Sequence, residues 1–109
     1  MFINDKVITK MEETLKISAD STRLKILFCL IEESSDSSHQ FVEKCVNDIA
    51  IQVGCSQSLV SHQLKVLKDG GFLKSNKVGT KIYYSLKDEH VHQIMRITLE
   101  HVLEDSENE

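Results

Sequence analysis

The chain has 109 residues, of which 40% are hydrophobic and 28% charged, and its formal net charge at pH 7 is −4. This length and composition predict a single soluble globular domain rather than a disordered chain, and a domain this small would bury more apolar surface by dimerising. The sequence has no apolar run of membrane-spanning length, no signal-peptide pattern and no paired C-x-x-C motif among its three cysteines, so we expect a cytoplasmic protein without a membrane span, a disulfide framework or a thiolate zinc knuckle.

The first third of the chain predicts two helices followed by a loop. Residues 5–18 carry apolar side chains at three- and four-residue spacing, which indicates an amphipathic helix: Val7, Ile8, Met11 and Leu15. Asp20 and Ser21 offer capping oxygens, and the apolar run over residues 22–31 then predicts a mostly buried second helix. The polar, serine-rich segment over residues 32–40 is expected to be a loop.

Residues 45–68 have the pattern of a helix-turn-helix. A short helix with apolar residues on one side ends at Gly54, and Ser56 caps a second helix that runs to Lys68. The inward residues of the second helix are expected to be Leu59, Val60, Leu64 and Leu67. In a helix-turn-helix the second helix lies in the major groove of DNA, where its outward residues read base edges. Here the outward residues are Gln57, Ser58, Ser61, His62 and Lys65.

Residues 72–86 predict a β-hairpin directly after this second helix. The turn is expected at residues 77–80, where Gly79 can adopt a positive φ, and it is followed by β-preferring residues. A hairpin in this position is a wing, and its lysines are placed to contact the DNA backbone or the minor groove: Lys74, Lys77 and Lys81.

The charge of the chain is divided unevenly along the sequence. Residues 56–81 contain five lysines and one acidic residue, Asp69, which gives +4; the other residues carry eight basic and sixteen acidic side chains, which gives −8. A basic module within an acidic body would concentrate the attraction for phosphate on one part of the protein. Lysines that only improve solubility explain the charge equally well when it is taken alone.

The segment over residues 88–104 predicts a last helix with an apolar stripe and four potential metal ligands. The stripe, which needs a partner surface, comprises Val91, Ile94, Met95, Leu99, Val102 and Leu103. The potential ligands are Asp88, His90, His101 and Glu104. Any one of them taken alone is more often an ordinary solvated side chain.

The spacing of these ligands points to sites shared by two chains. The 11 residues from His90 to His101 turn a helix through about 1100°, so both imidazoles face the same way, about 16 Å apart and too far for one ion. Each end of the helix therefore carries half a site, and two antiparallel copies would close two equivalent four-ligand sites about a two-fold axis. His92 points about 200° away from His90 and is expected at the surface.

These motifs resemble the ArsR/SmtB family of winged-helix bacterial metalloregulators. The resemblance covers about residues 10–104 and is carried by SQSLVSHQLKVLK (56–68), GFL (71–73), KVGTKIYYSL (77–86) and DSTRLKIL (20–27). It implies a mainly α fold with a small β-hairpin wing, one winged helix-turn-helix domain over residues 1–109, and a homodimer formed through the first and last helices.

The resemblance also implies a metal site. In the branch with sites on the last helix, Asp-x-His near its start and His-x-x-Glu or His-x-x-His near its end bind zinc, sometimes cobalt, between protomers. Asp88, His90, His101 and Glu104 fall on those positions, which implies two regulatory zinc ions per dimer, with cobalt possible. Nitrogen and oxygen donors suit zinc better than arsenic, lead or copper(I). Cys45 is retained from the family's thiolate site, but Asn47 replaces its second cysteine, so a functional site there is doubtful.

The mechanism implied by the resemblance is repression relieved by metal. The apo dimer binds operator double-stranded DNA, and zinc releases it and derepresses metal efflux or resistance genes; a link from His101 to the main chain around His62 couples the two events. Three alternatives remain open: a repressor of this family that senses nickel, cobalt, cadmium or no metal, a zinc hydrolase, and a dimer joined by structural zinc. The hydrolase lacks an H-E-x-x-H helix and an open coordination position.

Overall fold

The computed structural model describes residues 3–31 and 41–107, so the loop expected over residues 32–40 lies outside the described residues. The described residues form five helices and one three-stranded antiparallel sheet. The helices are α1 (Asp5–Ser18), α2 (Ser21–Cys29), α3 (Val46–Val53), α4 (Gln57–Asp69) and α5 (Glu89–Glu107). The strands are β1 (Lys44–Cys45), β2 (Leu73–Val78) and β3 (Lys81–Leu86). The expected fold, mainly helical with a small hairpin, is confirmed.

Side-chain caps explain where the helices begin. The Asp20 side chain accepts a hydrogen bond from the backbone N–H of Arg23, and the Ser56 hydroxyl accepts one from Leu59. Each cap satisfies one of the N–H groups that the first turn of a helix leaves without an internal partner. Gly54 ends α3 with a φ of 73°, a left-handed conformation that costs glycine little. Gly54 and the Ser56 cap therefore set the turn between α3 and α4.

The sheet has the order β1-β3-β2. In the expected hairpin, Leu73 pairs with Leu86 at the base and Val78 with Lys81 at the tip, which leaves the turn to Gly79 and Thr80. Gly79 has the expected positive φ, 64°. The pairing of β1 with β3 was not expected, because a strand of two residues is too short to display a sequence period.

The core lies where α2, α3 and α4 meet the base of the hairpin. Its fully buried side chains are Ile26, Leu27, Leu30, Ile49, Val60, Leu64, Leu67, Leu73 and Leu86. The expected inward position of Leu59 is wrong, because its side chain is 41% exposed. Leu59 lies one residue, about 100°, before Val60 and therefore at the edge of the buried stripe of α4.

A close contact fixes α1 against α4. Gly70 follows α4, and a Cβ added there would overlap Cδ1 of Ile17 unless that side chain moved. Nε of Arg23 donates to the carbonyl oxygen of Ile17 at 2.6 Å, and its Nη1 donates to Oε1 of Gln63 on α4 at 2.9 Å. The first helix is therefore held to the helix that is predicted to read DNA.

Two helices keep apolar side chains without a partner in the single chain. On α1 they are Val7, Ile8, Met11 and Leu15, between 43% and 56% exposed. On α5 they are Ile94, Ile97, Leu99, Val102 and Leu103, between 41% and 58% exposed. Val91 and Met95 near the start of α5 are buried, so its first turns pack on the domain while the later part extends from it. No helix in the described part of the chain combines the length and apolarity needed to cross a membrane.

Candidate DNA-binding surface and metal ligands

The outward face of α4 is exposed as the sequence predicts. Val60, Leu64 and Leu67 hold the helix against the core, and this leaves the five candidate reading residues in solvent: Gln57, Ser58, Ser61, His62 and Lys65. Gln57 is the first residue of α4, and its Nε2 donates to Oδ1 of Asn47 on α3 at 2.6 Å. The two helices of the helix-turn-helix are thus joined by side chains at the end that would meet DNA.

The wing distributes its lysines over both faces of the hairpin. Lys77 lies opposite Ile82 and Lys81 lies opposite Val78, so Lys77 and Lys81 point to opposite faces. Both are exposed near the tip. Nζ of Lys74 lies 5.8 Å from the ring centre of Phe41, so this lysine also takes part in a cation–π contact near the base of the hairpin.

Asp88 and His90 lie together at the start of α5. Oδ1 of Asp88 accepts a hydrogen bond from the backbone N–H of Val91 at 3.1 Å, which caps the helix and fixes the carboxylate. The other oxygen, Oδ2, lies 3.9 Å from Nδ1 of His90. Two donors of a tetrahedral zinc ion are about 3.4 Å apart, and the separation of this pair is close to that distance.

A different carboxylate from the expected one lies beside His101. Nε2 of His101 lies 3.7 Å from Oδ2 of Asp105, one helical turn further along. Among the described residues, no ion pair joins His101 to Glu104. Sequence reasoning did not consider Asp105, although spacings of three and four residues both place side chains together on a helix.

The donors of α5 form two separate pairs within one chain. In the described part of the chain, no three His, Cys, Asp or Glu side chains come close enough together to hold one metal ion. The pairs carry only nitrogen and oxygen donors and are exposed, which fits zinc if a second chain supplies the missing ligands. The cysteine of the alternative site, Cys45, is buried, and its thiol donates to Asp48 at 3.2 Å.

His92 is not the surface residue expected from its position. Its side chain is partly buried, and its ring centre lies 6.3 Å from that of Phe41. Its Nδ1 is buried without a hydrogen bond, 3.7 Å from Oε1 of Glu89. Phe41 and His92 are 51 residues apart in the sequence, and no local pattern predicts a contact over that separation.

The expected link between His101 and His62 stays a prediction. α5 packs against β3, and in the part of the chain that the structure describes no hydrogen bond joins His101 to the main chain around His62. Both imidazoles are exposed.

Comparison with protein families finds one match over the helix-turn-helix. The family described as "Bacterial regulatory protein, arsR family" matches residues 20–75, which is half of the chain. The matched range contains α2, α3 and α4 and enters β2.

Among curated proteins the chain is similar to two named regulators. It is 35% identical over 95 residues to the transcriptional repressor SmtB homolog of Synechocystis sp., covering 87% of this chain and 65% of that protein. It is 39% identical over 83 residues to the cadmium resistance transcriptional regulatory protein CadC homolog of Staphylococcus aureus, covering 76% of this chain and 62% of that protein. The chain therefore spans a little under two thirds of the length of these relatives.

Among solved structures the fold is similar to a winged helix-turn-helix. A homodimeric winged helix-turn-helix DNA-binding domain from Mycobacterium bovis, from a possible ArsR-family transcriptional regulator, superposes with a TM-score of 0.82 at 24% identity. The similarity covers 98% of this chain and 94% of that chain. At this identity it shows the fold alone, and the expected winged helix-turn-helix is thereby confirmed.

Proposed function

The chain belongs to the arsR family of bacterial regulatory proteins, and we propose that it is a metal-responsive transcriptional repressor that binds operator DNA as a homodimer and releases it when zinc binds. The members of this family are transcriptional regulators and not enzymes, so the zinc hydrolase considered from the sequence is set aside. In this proposal the repressor acts in the cytoplasm on double-stranded DNA and controls genes for metal efflux or resistance.

The observation that carries the proposal is the arrangement of α5. One donor pair lies at its start and one candidate pair near its end, and the apolar side chains between them have no partner in the single chain. A second copy, packed antiparallel, covers these apolar residues and brings the partner's His101 and the partner's Glu104 to Asp88 and His90. Two symmetric sites result, one at each end of the helix pair.

The apolar faces of α1 and α5 favour the same dimer. Side chains this exposed add little to the stability of one chain, whereas burying them between two chains contributes about 25 cal/mol for each Å² removed from water. Contiguous apolar faces of this kind on a small domain are typical of association surfaces. The dimer places two copies of α4 at a fixed separation, which is what a two-fold symmetric operator requires.

The proposed regulation requires that the dimer bind zinc with different affinities in its two arrangements. When bound, zinc supplies a fixed coordination geometry between the two copies of α5. The residues of α5 can then favour one dimer arrangement over another only if they bind zinc more tightly in the arrangement that misplaces α4. By linkage, DNA must weaken zinc binding by the same factor as zinc weakens DNA binding.

The identity of the metal is the finer part of the proposal. The donors favour zinc, with cobalt as a second metal that accepts nitrogen and oxygen ligands. The similarity to a cadmium resistance regulator makes cadmium the first alternative to test, and nickel the next. Chelation distinguishes a regulatory zinc from a zinc that only joins the dimer. If the zinc were structural, a chelator would dissociate or unfold the dimer instead of improving its binding to DNA.

Replacing both Lys77 and Lys81 with alanine is expected to weaken binding to every duplex, specific or random, by roughly tenfold or more at 0.15 M salt. Each lysine that neutralises a phosphate contributes about 0.9 to the slope of log affinity against log salt concentration, so the double variant should lose about 1.8 of that slope. The measurement is duplex binding by fluorescence anisotropy across a salt series. Lys6→Ala on α1 is the control and should leave the slope unchanged; an unchanged slope in the double variant would show that the wing does not touch phosphate.

A further inference from the structure

The first residue of the proposed reading helix is held by a residue outside it. Nε2 of Gln57 donates to Oδ1 of Asn47 at 2.6 Å, and both side chains are otherwise exposed. Asn47 lies on α3, ten residues earlier. The bond therefore joins the two helices of the helix-turn-helix at the N-terminal end of α4, the end whose side chains reach base edges.

We propose that Asn47 is a specificity-determining residue that fixes the orientation of the Gln57 amide and so makes each half-site prefer adenine at one position. The inference rests on the proposed function, because it assumes that α4 enters the major groove. It goes beyond that function by assigning a role to Asn47 and a base to Gln57.

The chemistry of the two amides gives the direction of the preference. A primary amide has one carbonyl acceptor and two N–H donors. When one N–H of Gln57 is donated to Asn47, the carbonyl Oε1 and the other N–H remain for DNA. Adenine offers an N6 donor and an N7 acceptor in the major groove, which match this pair in a bidentate contact. Guanine offers two acceptors, N7 and O6, and its O6 would oppose Oε1 of Gln57.

Asn47 supplies orientation that Gln57 lacks by itself. A free glutamine side chain can exchange its oxygen and nitrogen by rotating its terminal torsion, and it loses rotamer freedom when it binds. Asn47 is itself an amide, and it favours one of the two orientations of Gln57 before DNA arrives when it presents its Oδ1, as it does in this structure. Asn47 also lines a surface groove together with Thr80 and Lys81 of the wing, so a carboxylate at this position would have a lysine nearby.

The test uses selection from a library of randomised DNA duplexes with the full-length, chelator-treated protein, followed by affinity measurements on duplexes that differ at one base pair. The wild type should enrich adenine at one position of each half-site and bind the guanine duplex about tenfold more weakly. Gln57→Ala should lose the preference at that position alone. Asn47→Ala should lower the adenine-to-guanine ratio, because the released amide can turn its N–H groups toward guanine, while binding of both duplexes continues.

Asn47→Asp is the matched variant that separates orientation from folding. Aspartate can only accept a hydrogen bond, so it keeps the Gln57 amide in the same orientation and should preserve the adenine-to-guanine ratio, although its charge weakens binding to both duplexes equally. An unchanged ratio in Asn47→Ala, or a wild-type preference for guanine at the Gln57 position, would overturn the inference and leave the repressor function standing. A wild type that enriches no sequence would overturn both.

Discussion

Replacing His101 with asparagine should abolish the response to zinc while DNA binding by the chelator-treated protein stays close to that of the wild type. His101 is exposed on the part of α5 that extends from the domain, so its loss removes no core packing. Asparagine is a far weaker zinc ligand than imidazole and would leave each proposed inter-chain site one donor short. A ligand at one site typically changes the affinity of a second site by about 5- to 150-fold. In this variant the ratio of DNA affinities without and with zinc should be one. The measurement is anisotropy of a labelled duplex with and without zinc.

His92→Asn is the control for this variant. It also removes a histidine from α5, but the His92 ring lies beside Phe41 and not at the proposed site. It should keep the zinc response. Glu104→Gln and Asp105→Asn then identify which carboxylate completes the site, since Asp105 is the one found beside His101. A His101 variant that still releases DNA on zinc addition would remove this residue from the site, and a loss of apo binding would indicate a role in folding.

Placing a carboxylate in the apolar face of α5 should convert the proposed dimer into a folded monomer. Leu103 is 51% exposed in the single chain, so Leu103→Glu costs the isolated domain little, whereas in a dimer it would bury a charge without a partner. The molar mass by sedimentation should halve, and binding to a duplex with two half-sites should weaken by about 100-fold or more because the two reading helices are no longer linked.

Ile51→Glu is the matched control for the dimer prediction. Ile51 is 72% exposed on α3 and lies on neither of the two helices with unpartnered apolar faces. This variant should keep the molar mass of the wild type. A Leu103 variant that sediments with the wild-type mass would show that this face of α5 does not form the dimer.

Local chemistry explains why most of the fold could be predicted. The capping side chains of Asp20 and Ser56, the left-handed Gly54 and the turn at Gly79 act over a few residues, so the sequence determines them directly. The apolar periods of α1 and α5 were equally readable. The spacing of apolar residues does not show whether the surface that covers them belongs to the same chain or to another. In the structure of the single chain, the apolar faces of α1 and α5 are both exposed.

The features that were missed depend on contacts between distant parts of the chain. The short strand β1 pairs with the edge of β3, and the ring of Phe41 lies beside the partly buried His92. The hydrogen bond from Gln57 to Asn47 forms only when α3 and α4 pack at the angle seen in the structure, and no sequence pattern specifies that angle. Asp88 and His90 were expected to lie together at the start of α5 and do so, but the carboxylate beside His101 is Asp105 and not the expected Glu104.

The most direct test of the account is binding of the wild-type protein to the duplex that its apo form selects, measured first with chelator and then during a zinc titration. The account predicts tight binding with chelator, and an affinity that falls by about 5- to 150-fold as two zinc ions bind per dimer. An affinity that stays constant or rises as zinc binds would contradict it.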